Sequence, residues 1–154
     1  MAYKIIVGRN QEDIRKFGDK GTVYLGKSYV KMGPTTSLSN QVFMDVTKTH
    51  VVMICGKRGS GKSYSASVMA EEIARLPEEV KKNITVLFFD TMGVFWTMKY
   101  PNKRQEKLLD LWGLKGEGLD INIFTPEGHF EEYKKAGIPT DYSFTIRTSE
   151  LDAA

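Results

Sequence analysis

Residues 56–63 read Gly-Lys-Arg-Gly-Ser-Gly-Lys-Ser, and this spacing constrains the fold more than any other stretch of the chain. Glycines at 56, 59 and 61 let the backbone turn tightly and approach an anion with no Cβ in the way. Successive N–H groups then converge on one point, at the positive end of a helix dipole. The pattern is that of a phosphate-binding loop joining a strand to a helix. In it Lys62 reaches the β- and γ-phosphates and Ser63 offers its hydroxyl to Mg²⁺. The expected contact set is Gly56, Lys57, Arg58, Gly59, Ser60, Gly61, Lys62, Ser63 and Tyr64.

The flanks match. Residues 51–55, Val-Val-Met-Ile-Cys, form an unbroken apolar run, the signature of a strand buried on both faces of a parallel sheet. Residues 64–76 contain no Gly or Pro. Ala66, Met69, Ala70, Ile73 and Leu76 make one apolar face there, with Glu71 and Arg75 directed away from it, and Pro77 stops the helix. A second core strand is expected over residues 84–89, ending at Asp90. Further strands are expected at residues 121–124 and 144–148, and helices within residues 102–112 and 130–135. Residues 149–154 read as the opening of another element.

The region before the loop has a different texture. Residues 5–7 and 13–17 read as a short strand and a helical turn. Residues 22–25 and 28–30 are β-prone and flank Gly26-Lys27, a candidate tight turn. Residues 34–37 read as a loop and 41–45 as another strand. The expected architecture is therefore α/β: a P-loop NTPase (RecA-like) parallel-sheet core, incomplete, preceded by a small antiparallel, barrel-like β unit. The boundary falls between residues 1–47 and 48–154.

Composition narrows the class. No apolar run approaches the ~20 residues needed to span a bilayer, and the N-terminus lacks the apolar centre of a signal peptide, so a cytoplasmic protein with no membrane partner is expected. Cys55, the single cysteine, falls in the expected core strand and reads as a small buried hydrophobe. His50 and His129 are isolated from metal-ligand spacing. A net charge of +3 is compatible with nucleic-acid binding but does not argue for it. The short basic clusters at Lys81-Lys82 and at Lys103-Arg104 with Lys107 read as solvated surface or as phosphate contacts.

Asp90 opens the segment Asp-Thr-Met-Gly just past the carboxyl end of a hydrophobic strand. Ligands in open α/β sheets bind beyond that end, and a carboxylate there can hold Mg²⁺ directly or through water. The alternative is an Asp that simply leaves a strand into a turn. The aromatic run Val94-Phe95-Trp96 with Tyr100 either packs or covers a base.

From about residue 41 to 102 the chain resembles the HerA/FtsK-type P-loop ATPases, specifically the HerA-like group. The resemblance rests on Val42-Phe43-Met44-Asp45, on His50 ahead of the apolar run, on the loop itself, and on Asp90-Thr91-Met92-Gly93. It implies ATP and Mg²⁺ as ligands, with Lys62 and Asp90 in catalytic roles and Ser63 and Asp90 at the metal. It also implies a ring-shaped, usually hexameric, homo-oligomeric motor that moves duplex DNA, with a nuclease partner. Where HerA proteins commonly carry a Glu after the second segment's Gly, this chain has Val94. The later Asp-Glu strand and the arginine finger are expected beyond residue 154, so the chain reads as the N-terminal piece of a longer ATPase that binds nucleotide with little turnover alone. Arg58 and Arg147 are weaker finger candidates. A GTPase is the alternative that Asp-x-x-Gly leaves open, although residues 102–105, Asn-Lys-Arg-Gln, lack the Asp of a guanine reader. A nucleotide-sensing assembly module is the alternative outside enzymology.

Overall fold

The apolar run near the N-terminus forms β1 (Ile5–Val7), and Asn10 then caps α1 (Gln11–Phe17) by accepting from the Asp13 N–H at 2.8 Å. The computed structural model describes residues 3–147, which fall into two units, Met1–Phe89 and Asp90–Ala154. The expected strand over residues 144–148 reaches past the described residues at Thr148, and the element expected at 149–154 lies outside them.

In the first unit, two eleven-residue strands, β2 (Thr22–Met32) and β3 (Thr35–Asp45), pair antiparallel, and β1 adds to the other edge of β3 in parallel. The order is β1-β3-β2. The expected turn at Gly26-Lys27 is instead a bulge inside β2, where the register steps from Tyr24 to Gly26 against Phe43 and Val42. An isolated glycine in a strand absorbs such an extra residue. The chain actually reverses at Gly33-Pro34, between the paired Met32 and Thr35. Gly33 has φ +60°, and the fixed negative φ of proline follows, the order of φ signs in a type II′ hairpin turn. The expected loop at residues 34–37 therefore belongs mostly to β3. This unit is an open three-stranded sheet with one parallel pair, not a purely antiparallel one.

The helix after the glycine loop is α2 (Lys62–Ala74), followed by α3 (Glu78–Lys81), whose first turn Pro77 opens. α2 lies against β2. Val23 and Ala70 are the buried apolar residues of this unit, each contributing on the order of 1–2 kcal/mol by burial. Glu71 is half-buried rather than directed away, and burial pushes its carboxyl up, against the opposing charge of Arg75.

Residues 51–55 and 84–89 differ from expectation: among the described residues neither run pairs with a strand. Met53 is 85% exposed and Phe89 86%, and Cys55 is exposed rather than buried. A doubly buried strand needs a neighbour on each side and a covering layer on each face. Both edges of β3 are already taken by β1 and β2, so the N-terminal sheet offers these runs no place beside its central strand.

The second unit opens at Asp90. A 3₁₀ turn spans Phe95–Lys99, and α4 (Glu106–Leu111) follows. α4 starts later than Pro101 suggests because Asn102 Oδ1 accepts from the N–H groups of Arg104 (3.2 Å) and Gln105 (3.3 Å), a local turn that competes with helix. β4 (Phe124–Pro126), α5 (Glu127–Lys135) and β5 (Tyr142–Phe144) form a parallel β-α-β unit. Asp141 sets its alignment: its carboxylate accepts from Ile123 N at 2.8 Å and from Lys99 Nζ at 2.6 and 2.7 Å. The Ile123 carbonyl in turn accepts from Asp141 N at 2.9 Å and from Tyr142 N at 3.0 Å, just ahead of the paired residues. Thr125, buried, accepts from the Thr140 hydroxyl at 2.6 Å.

Candidate functional site

The glycine loop is a tight turn that leads directly into α2. Gly59 (φ +78°) and Gly61 (φ +87°) both occupy the left-handed region, and Gly61 is the N-cap of α2. A Cβ at Gly56 would meet the Ser60 hydroxyl, which would have to turn aside. Between them the Ser60 N–H donates to the Lys57 carbonyl at 3.2 Å, closing a tight turn.

No side chain caps the N-terminus of α2, and its first turn contains no acidic residue. Uncapped first-turn N–H groups of a thirteen-residue helix carry the dipole's positive end with no internal partner. The carbonyl of Gly61 accepts from Ser65 N (2.9 Å) and Ser65 Oγ (3.1 Å), which fixes the direction of that turn. Lys62 Nζ folds back to the Lys57 carbonyl at 2.9 Å. Ser63 and Tyr64 are exposed, as are Lys57 and Arg58. The donor set is all positive or neutral, which suits a polyphosphate.

Tyr64 also borders an open apolar cleft of about 450 Å³, lined by Leu25, Met53, Ile54 and Cys55 on one side and by Val68 and Met69 of α2 on the other.

Asp90 is placed in a turn of the second unit. Oδ1 accepts from Met92 N at 3.2 Å and Oδ2 from Phe95 N at 2.7 Å, and Gly93 completes the turn at φ +62°. The carboxylate thus caps the 3₁₀ turn, while each oxygen retains a further lone pair. Within the aromatic run, Trp96 meets Tyr100 edge-on, centroids 6.3 Å apart.

Sequence reasoning missed a polar node at the end of β3. Asp45, 1% exposed, accepts from Arg9, Thr47 and His50. Burial alone pushes its carboxyl up, but the bonds from Thr47, His50 and Arg9 outweigh it and hold the group well below the usual carboxylate range. Asp13, paired with Lys48, is also lowered. The signal was an acidic residue closing the apolar run Val-Phe-Met, with Arg9 far away in sequence and nothing local to join them.

A family model described as "Helicase HerA, central domain" matches residues 30–154, from within β2 through the glycine loop and into the second unit. The chain belongs to that family. The HerA-type assignment drawn from the loop's flanks is therefore the right one, and it makes the matched region an ATPase motor-type domain. No curated protein and no solved structure matches the chain. The chain is mixed α/β, with a parallel pairing β1–β3 and, within the matched residues, another at β4–β5. Among the described residues no helix is long and apolar enough to cross a membrane.

Proposed function

We propose that this HerA-family chain binds Mg-ATP at residues 56–63 and supplies the nucleotide-gripping part of a motor that hydrolyses ATP and moves duplex DNA. The observation that carries the reading is the uncapped, acid-free N-terminus of α2, entered through Gly59 and Gly61 in the left-handed region. Backbone N–H groups from Arg58 to Lys62 hold the phosphates. Lys62 leaves the Lys57 carbonyl for a phosphate oxygen, because a charged acceptor binds an ammonium more strongly than a neutral one. Its charge then stabilises what develops on the γ-phosphoryl group and the leaving oxygen. Ser63, through its hydroxyl, and Asp90, through its carboxylate, would be the metal-side residues, and Mg²⁺ would supply positive charge against the phosphates.

The motor part is taken to begin at residue 48. The RecA-like form of the core is part of this proposal: the exposed apolar runs at residues 51–55 and 84–89 call for cover, since such runs are rarely left bare. The homo-oligomeric ring, the nuclease partner and a cytoplasmic site of action belong to the same proposal.

The test is competition and turnover on the chain itself. Mg-ATP should displace a labelled ATP analogue well ahead of Mg-GTP, and hydrolysis should stay near background. Preference for GTP would favour the GTPase reading of Asp90-Thr91-Met92-Gly93. A bound state that changes only oligomer size, in a longer protein indifferent to duplex DNA, would favour a sensing module.

A further inference from the structure

The segment that leads into the phosphate loop is tied to the N-terminal sheet through one side chain. His50 lies between Asp45, the last residue of β3, and Gly56, the first glycine of the loop. Its Nε2 meets Asp45 Oδ2 at 2.8 Å. Asp45 is ionised, so that nitrogen carries the proton and donates. The other oxygen, Oδ1, is filled independently: it accepts from Arg9 Nε (3.0 Å), Arg9 Nη2 (2.7 Å), Thr47 N (3.2 Å) and Thr47 Oγ1 (2.6 Å). Arg9 also donates to the carbonyls of Gly18, Lys20 and Gly21.

The His50 ring is also held by shape. A Cβ at Gly8 would stand 2.9 Å from the ring's Cε1 and 3.0 Å from Nε2, so the ring packs close against the backbone that links β1 to Arg9. Removing the imidazole leaves Asp45 neutralised by Arg9 and bonded by Thr47. What His50 supplies is therefore direction more than charge balance. Beyond it, residues 51–55 have no strand pairing among the described residues, which leaves the His50 bond as the fixed point before the loop.

We propose that His50 is a positioning residue that couples the Arg9–Asp45 node to the phosphate loop, so that nucleotide held at residues 56–63 tightens the node and an intact node strengthens nucleotide binding. The proposal rests on the nucleotide reading above and adds a regulatory path to it. Such a coupling is reciprocal by thermodynamic necessity, so it can be read from either end.

The experiment uses the whole chain with Mg-ATP as the probe. Amide exchange is followed at Val46, whose N–H donates to the Gly21 carbonyl, and at Thr47, whose N–H donates to Asp45. Mg-ATP is expected to slow both by about tenfold in the wild type. His50→Leu, which keeps bulk but no donor, is expected to weaken Mg-ATP by about tenfold and to abolish the slowing. His50→Gln, which keeps an N–H at similar reach, is expected to restore most of both, although the two variants melt at similar temperatures. Binding of Mg-ATP with unchanged exchange at Val46 and Thr47, or equal affinity in all three proteins, would overturn the coupling alone. No Mg-ATP binding by the wild type would remove the site and the coupling together. The wild-type exchange measurement stands even where a variant fails to fold.

Discussion

Lys62 Nζ donates to the main-chain carbonyl of Lys57 at 2.9 Å, so the loop's ammonium lies across the turn that its own backbone makes. The bond joins the two ends of the segment proposed to enclose a phosphate, and it holds the lysine close to where an anion would take it over.

Lys62→Ala should therefore weaken Mg-ATP binding by roughly 10–100-fold, the equivalent of about 1.5–3 kcal/mol for a hydrogen bond to a charged group. The fold should survive, because Lys62 begins α2 at the loop surface and fills no core position. Equilibrium binding alongside far-UV circular dichroism checks both halves.

Asp90→Asn and Asp90→Ala should separate capping from metal support. The Asn carbonyl oxygen can still accept one of the two bonds from Met92 and Phe95 N–H, so Asp90→Asn should melt close to wild type and lose Mg²⁺ dependence of nucleotide affinity. Asp90→Ala should also lose about 1 kcal/mol of stability with the cap. If Asp90→Asn keeps the full Mg²⁺ dependence, the carboxylate is a cap and nothing more.

Asp45→Asn should be among the most destabilising exchanges in the chain, by about 3 kcal/mol, because it strands the buried Arg9 guanidinium without its counter-charge. Urea denaturation gives the number directly, and a loss under about 1 kcal/mol would contradict a buried ion pair.

The same carboxylate sets a pH dependence. The folded Asp45 carboxyl lies below its unfolded value of about 3.9, so its stabilisation is complete above that value and is lost as the pH falls below it. Asp13 and Asp141 are lowered as well and add the same sign. Glu71 is raised, so its ionisation costs stability at neutral pH and that cost is relieved as the pH falls. Denaturation midpoints between about pH 5 and pH 2 should fall steeply in wild type and less steeply in Asp45→Asn.

The chain's local punctuation was legible and its long-range pairing was not. Gly61, Lys62 and Ser63 announced a loop-to-helix junction because glycine geometry and helix polarity are written over eight adjacent residues. Gly33-Pro34 carries an equally local turn, but the β-prone residues on both sides of Gly26 made that glycine the more tempting reversal; the pairing of Tyr24 with Phe43 decides for a bulge. The apolar runs at 51–55 and 84–89 read as core strands because apolar character was the only signal, and strand formation depends on partners that a run does not encode. The Arg9–Asp45–His50 node was invisible for the same reason: its members meet only after β1 and β3 have paired.

We propose that backbone N–H groups of the glycine loop grip a polyphosphate. Amide chemical shifts recorded while Mg-ATP is added test it most directly. The predicted result is that the largest movements fall on the N–H groups of Gly59, Ser60, Gly61, Lys62 and Ser63, and that Lys62→Ala suppresses them at the same nucleotide concentration. Saturating nucleotide that leaves those five amides in place, or shifts a different part of the chain instead, would contradict it.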